Sequence, residues 1–252
     1  MTNLNIGAQL HTIREFTKNA ADFAASMKKV ADIGYKYVQI SNIGPIPAKE
    51  VADICASNGL EIIVTHTNPA KIKNETETVI EEHNIMKAKY VGIGSMPKDD
   101  RTAEGMKKFI AEYAPVSETL KKAGMTLMYH NHAFEFEKYG DKLMIEHLRD
   151  ELPLVGFIID TYWVQSGGAD PAAWLTKLSG RVPVIHFKDM SWVQGEQRMA
   201  EIMEGNLNWP AIFDACQQAG VEYAMVEQDT CYGGDPFDAL RTSFNNLKGA
   251  LQ

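Results

Sequence analysis

The stretch LMYHNHAFEF, residues 127–136, places two histidines and an asparagine directly behind an apolar run, with Glu135 close after. Three later apolar runs end in a similar way. VGFIID stops on Asp160, PVIHFKD carries His186 and Lys188, and YAMVEQD carries Glu227 and Asp229. His130, Asp160, His186 and Glu227 are therefore four N or O donors on successive apolar runs, spaced by 30, 26 and 41 residues. Each gap is close to one βα unit of roughly 30 residues. A mixed imidazole and carboxylate set suits Mn²⁺, Zn²⁺, Co²⁺ or Fe²⁺ better than Ca²⁺, which prefers oxygen alone. Taken singly, each residue has a plain structural reading: a hydrogen-bonded strand-end histidine, a turn-capping aspartate, a rim ion pair. Four in register are harder to explain separately.

Alternation along a strand puts His130 and His132 on one face, as it does His186 and Lys188, and Glu227 and Asp229. If the first of each pair points inward, the second stands above it, about 7 Å further along the strand.

The elements that must position these residues are eight apolar runs: 6–10, 37–41, 61–67, 90–95, 126–132, 155–160, 183–189 and 223–229. Several are apolar on both faces, as strands covered on both sides should be. Helical spacing fills the gaps: Phe23, Met27 and Val30; Met106, Phe109, Ile110 and Tyr113; Phe237, Leu240, Phe244 and Leu247. Four helices run into a Gly just before the next strand, in ADIGYKYV, ASNGLEII, KKAGMTLM and QQAGVEYA. Eight strands alternating with helices predict one closed (β/α)₈ TIM barrel over residues 1–252. An open doubly wound sheet is the runner-up, but it would normally carry a Gly-rich phosphate turn, and no GxGxxG or GxxxxGK is present.

Composition narrows the function classes. The formal charge is −8 with no basic stripe, which argues against nucleic acid as a partner. No apolar run approaches membrane-spanning length, and the N-terminus lacks the pattern of a signal peptide. Cys55, Cys216 and Cys231 are scattered and unpaired by spacing, which predicts a reducing, cytoplasmic setting.

Over nearly its whole length the chain resembles the xylose isomerase-like TIM barrels, often called sugar phosphate isomerases/epimerases. The likeness rests on GAQLHTIRE, YHNHAFEF, IDTYW, HFKDM, EGNLNW and VEQD. It implies one divalent metal ion held by side chains of strands five to eight: usually Glu, then Asp or Glu, then His or Asp, then Glu. Asp160, His186 and Glu227 match residue for residue. His130 stands where relatives commonly have Glu; its strand position favours it as the ligand, with Glu135 as the other candidate. Mn²⁺ is the first expectation, with Zn²⁺, Co²⁺, Fe²⁺ or Mg²⁺ as alternatives.

The resemblance also implies catalytic roles. His132, two residues after the first ligand, is the expected base, with Glu135 and Lys188 as further catalytic candidates. Gln9 and Arg14 are expected at the substrate, with His66, Trp163 and Glu204. Packing is the competing reading for His66 and for the tryptophans Trp163 and Trp192. His11 belongs to the pocket or the surface. His83 and His147 fall on predicted helices and are expected to be solvated. The YHNH variant is similar to the inosose dehydratase-like and keto-glycoside lyase-like branches.

The implied chemistry acts on a keto-sugar, sugar derivative or inosose. A metal polarises a carbonyl and stabilises an enediolate while a base removes the alpha proton. Returning the proton gives isomerisation or epimerisation, and expelling a beta substituent gives elimination. Two other classes compete: endonuclease IV-like phosphodiester hydrolysis and a non-catalytic sugar-binding or subunit role. Oligomeric state is open, and a homo-oligomer is compatible.

Overall fold

The computed structural model describes residues 4–251; residues 1–3 and 252, at the ends of the expected domain, lie outside it. Eight parallel strands close into a barrel: β1 (Asn5–Gln9), β2 (Tyr37–Ile40), β3 (Glu61–Thr67), β4 (Tyr90–Ile93), β5 (Thr126–His130), β6 (Gly156–Asp160), β7 (Val184–Phe187) and β8 (Tyr223–Val226). β1 pairs with both β2 and β8, so the barrel itself has no open strand edge.

Among the described residues ten α-helices join and cover the strands: α1 (Ala20–Ile33), α2 (Ala48–Ser57), α3 (Pro69–Asn74), α4 (Thr76–Met86), α5 (Ala103–Lys122), α6 (Met144–Glu151), α7 (Thr161–Ser166), α8 (Pro171–Lys177), α9 (Trp209–Ala219) and α10 (Pro236–Leu251). The architecture is the (β/α)₈ barrel that the alternation predicts. Helix ends follow local chemistry. Asn19 caps α1 by accepting from Asp22 N–H, Thr102 caps α5 by accepting from Gly105 N–H, and Gly220 ends α9 at φ 76°.

The larger apolar core lies between strands and helices, where Phe23, Val30, Phe109, Leu120, Phe157 and Leu240 are buried. A smaller one fills the barrel interior: Val64, Met128, Ile158, Val184 and Met225, above Tyr37, Tyr90 and Tyr223. Each fully buried side chain of this kind contributes about 1.5–3 kcal/mol. Gly156 matters here because Met128 lies across it, where a Cβ would collide with the methionine sulfur.

This inner layer fixes what comes next. Side chains repeat every second residue, so the position two beyond each floor residue also points inward. Met128, Ile158, Val184 and Met225 lead to His130, Asp160, His186 and Glu227. By the same step Tyr37 leads to Gln39 and Val64 to His66.

Two expectations are corrected, the strand ends and the helix histidines, and a hairpin that the sequence reading did not predict is added. Strands five, seven and eight stop at His130, Phe187 and Val226, earlier than predicted, because the polar residues after them turn over the rim. The segment after β7 is an antiparallel hairpin, Asp189–Val193 with Glu196–Ala200, around a Gln194–Gly195 turn with both φ positive. His83 is buried on the inner face of α4, 1% exposed, with Nε2 2.8 Å from Thr65 Oγ1. His147 is half-buried, close to Glu151 and the Tyr139 carbonyl.

Candidate metal centre

His130, Asp160, His186 and Glu227 are brought together, each buried, each offering one ligand atom within 4.8 Å of the others. His130 Nε2 is 3.3 Å from Asp160 Oδ2, His186 Nδ1 is 3.7 Å from the same oxygen, and His186 Nδ1 is 3.0 Å from Glu227 Oε2. Four ligands at the 2.0–2.2 Å typical of Zn²⁺ stand about 3.4 Å apart in a tetrahedron, so the spacing suits a small divalent ion.

The far side of every donor is held. His130 Nδ1 donates to the Gly94 carbonyl at 2.8 Å, which leaves Nε2 bare in the neutral ring. His186 Nε2 donates to Gln39 Oε1 at 2.7 Å, which leaves Nδ1 bare, and that nitrogen has no hydrogen-bond partner. Asp160 Oδ1 accepts from Trp163 N–H at 3.0 Å. Glu227 Oε1 accepts from Gln9 Nε2 at 2.6 Å, and Gln9 Oε1 is itself fixed by His11 N–H. Two bare nitrogens and two carboxylate oxygens then face one point. Lone pairs so placed repel one another unless a cation joins them. The outer hydrogen bonds fix tautomer and orientation as they do around ligating residues in general. The residues fit a divalent metal ion.

Electrostatics agree in direction. Burial opposes the charge on Asp160 and Glu227, but Lys188 and the imidazoles outweigh it and hold both well below the usual carboxylate range. Burial also lowers His186, and the Glu227 and Asp160 carboxylates overcome it and raise it.

His132 lies past the strand end, its ring centroid 4.8 Å from that of His130 and packed against Phe134 and Trp163. Burial and then His130 push its imidazole down to about 3, so it is neutral at physiological pH. It lines a cavity of about 420 Å³ with Gln9, His11, His66, Lys188 and Glu227, within the range of small-molecule sites. His66 sits there with Nδ1 3.2 Å from Ser41 Oγ and Nε2 unpartnered. Lys188 is 1% exposed, with Nζ 2.8 Å from Glu227 Oε2, 2.9 Å from Asp229 Oδ1 and 3.1 Å from Asp160 Oδ2. The carboxylates hold the lysine proton against burial, so Lys188 is a cation and no base.

Four expected positions differ. Glu135 is fully buried outside the donor cluster and the cavity lining. Its carboxylate accepts from Tyr129 Oη at 2.8 Å and His132 N–H at 2.7 Å, so it braces the turn that carries His132. Arg14 points to the His11 carbonyl at 2.9 Å and does not line the cavity. Glu204 is exposed and bonds to Asn246 at 2.9 Å. The cause is Asp189, whose carboxylate accepts from the backbone N–H groups of Met203 and Gly205 and from Trp209 Nε1, and so folds that loop away from the cavity. Trp163 packs behind His132 and under Lys188 and is not part of the lining, while Trp192 is 63% exposed on the hairpin.

Sequence reasoning missed Gln39 and Gly94 as braces, and it missed a second donor group, His11, Glu227 and Asp229, which overlaps the first.

No helix among the described residues is long and apolar enough to cross a membrane. The search of curated proteins finds no match. Among solved structures, a sugar phosphate isomerase/epimerase from Parabacteroides distasonis is similar at 21% identity and a TM-score of 0.81, covering 99% of this chain and 95% of that one. A D-allulose 3-epimerase from a Methylomonas species is similar at 15% identity and a TM-score of 0.72, covering 98% and 97%. A probable 3-DHS dehydratase of petrobactin synthesis from Bacillus anthracis is similar at 14% and 0.74, covering 97% and 99%. These likenesses concern the fold. The family model for the xylose isomerase-like TIM barrel matches residues 27–248, and the chain belongs to that family.

Proposed function

We propose that the protein is a divalent-metal-dependent isomerase, epimerase or lyase that removes a proton alpha to a carbonyl of a keto-sugar, sugar derivative or inosose. The observation that carries this reading is the convergence of four donor atoms whose far sides are each held by a neighbour. His130, Asp160, His186 and Glu227 hold the ion, with Mn²⁺ the first candidate. When bound, the ion supplies Lewis acidity that makes the C–H beside a polarised carbonyl more acidic.

The chain's own residues do the rest. His132 borders the cavity beside His130 and accepts the proton. Lys188 presents a fixed positive charge to the developing oxyanion. Ser41, Asn42, His66 and Asn68 line the cavity with neutral donors and acceptors suited to sugar hydroxyls. Return of the proton to the neighbouring carbon, its return to the opposite face, and loss of a beta substituent are three outcomes of the same abstraction. Names of the similar structures include two epimerases and a dehydratase, which agrees with this range. The three unpaired cysteines fit a reducing cytoplasm.

A phosphodiester-cleaving reading gains the His11, Glu227 and Asp229 group. Against it, Lys188 is the only Lys or Arg among the described residues that lines the cavity, so the site lacks the clustered cations that a phosphate backbone needs.

Solvent-deuterium incorporation into a panel of keto-sugars and inososes, with Mn²⁺ added, tests the proposal. Exchange at a carbon next to a carbonyl is expected for at least one member. No exchange from metal-loaded protein across the panel would count against alpha-proton abstraction.

A further inference from the structure

We propose that Lys188 is the second cation of this centre: its ammonium group stands where a second divalent ion would bind, and it limits the site to one metal. This rests on the metal reading above. Two donor groups share Glu227: His130, Asp160 and His186 on one side, His11 and Asp229 on the other. Side by side with a common carboxylate, they form the outline of a two-metal site.

Lys188 Nζ lies between them, within 3.1 Å of one oxygen from each of Asp160, Glu227 and Asp229. The placement is built. The side chain is 1% exposed, its Nζ lies 5.5 Å from the Trp163 ring centroid, and its backbone N–H donates to Thr161 Oγ1 at 3.0 Å. Thr161 Oγ1 donates in turn to the Lys188 carbonyl at 2.7 Å. A buried lysine is costly to desolvate, and three carboxylates are what offset that cost.

Charge balance gives the same result. Asp160, Glu227 and Asp229 carry three negative charges when ionised, and Lys188 reduces the net to two, which a single divalent ion neutralises. A second divalent ion would leave the buried cluster with a net positive charge and would have to displace the ammonium. A neutral side chain at 188 removes the ammonium that a second ion must displace and leaves one negative charge uncompensated beside the first ion. The second group then faces three carboxylates, one ion and no resident cation.

The test is the Mn²⁺ stoichiometry of purified protein by elemental analysis, with low-temperature electron paramagnetic resonance to detect coupled Mn²⁺ pairs. Wild type is expected to take up one equivalent with no pair signal. Lys188→Met is expected to take up two, with the coupled signal. Adding Asp229→Asn to Lys188→Met is expected to return the count to one. Uptake of one equivalent by folded Lys188→Met, or of two by wild type, overturns the proposal. Should Lys188→Met fail to fold, titration of wild type to millimolar Mn²⁺ decides: saturation at one equivalent supports the proposal and a second equivalent refutes it. No uptake by wild type refutes the underlying metal reading and this proposal with it, a result distinct from a wrong count.

Discussion

Replacing Gln39 with leucine removes a single hydrogen bond and leaves all four proposed ligands in place. In the structure Gln39 Oε1 accepts from His186 Nε2 at 2.7 Å, and both side chains are fully buried. Without that acceptor the His186 ring loses the contact that fixes its tautomer, and Nδ1 no longer presents a bare lone pair in every molecule. A buried N–H left without an acceptor costs about 1–3 kcal/mol. Outer partners of metal ligands are typically worth about 10–100-fold in affinity, or roughly 1.4–2.7 kcal/mol. Gln39→Leu should therefore weaken Mn²⁺ or Zn²⁺ binding by about 10–100-fold, measured by competition with a chelator of known affinity. Gln39→Glu should hold or raise affinity. It keeps the acceptor, makes the imidazole more basic, and removes an Nε2 that has no hydrogen-bond partner. Unchanged affinity in Gln39→Leu, with the protein folded, would refute the tautomer argument.

Other outcomes follow from neighbouring contacts. His132→Gln should keep the metal and lose alpha-proton exchange by about 10²–10⁴-fold, read from the deuterium assay; near-normal exchange would move the base elsewhere. Metal affinity should fall as pH falls. His186 is raised above its usual 6.5 by Glu227 and Asp160, so protons compete from above that pH, and a chelator titration at several pH values reads the slope. Glu135→Gln should retain the metal and flatten the dependence of stability on pH. Burial raises the Glu135 carboxyl from 4.5 to about 7, so its favourable contribution is complete below pH 4.5 and is lost as pH rises through 7. That shift corresponds to about 3 kcal/mol, visible in denaturant melts at pH 5 and pH 8. Asp189→Ala should cost about 3 kcal/mol or more by stranding the N–H groups of Met203 and Gly205 and the Trp209 indole, measured by thermal or urea unfolding.

The four donors were legible because a strand repeats every second residue. An apolar floor residue followed two positions later by His, Asp or Glu is a local pattern, and it occurs on four consecutive strands. The braces were not legible for the same reason. Gln39 and His186 are 147 residues apart, and Gln9 and Glu227 are 218 apart; they meet only because the barrel closes. Gln9 was expected at the substrate, and its amide instead spans Glu227 and the His11 N–H while still bordering the cavity. Glu135 and Glu204 were misplaced because carboxylates read from sequence carry no direction: one turns inward to Tyr129 and the other outward to Asn246. Two misses did have local signals. Val79 and His83 share a helix face at i, i+4 spacing, and the Gln194–Gly195 pair stands between two runs of strand character.

One divalent ion is expected at the junction of β5, β6, β7 and β8. An anomalous-difference map collected at the Mn absorption edge from crystals grown with Mn²⁺ tests it most directly. A single peak is expected within bonding distance of His130 Nε2, Asp160 Oδ2, His186 Nδ1 and Glu227 Oε2. A map with no peak there, or with its peak on His11 and Asp229 instead, would contradict it.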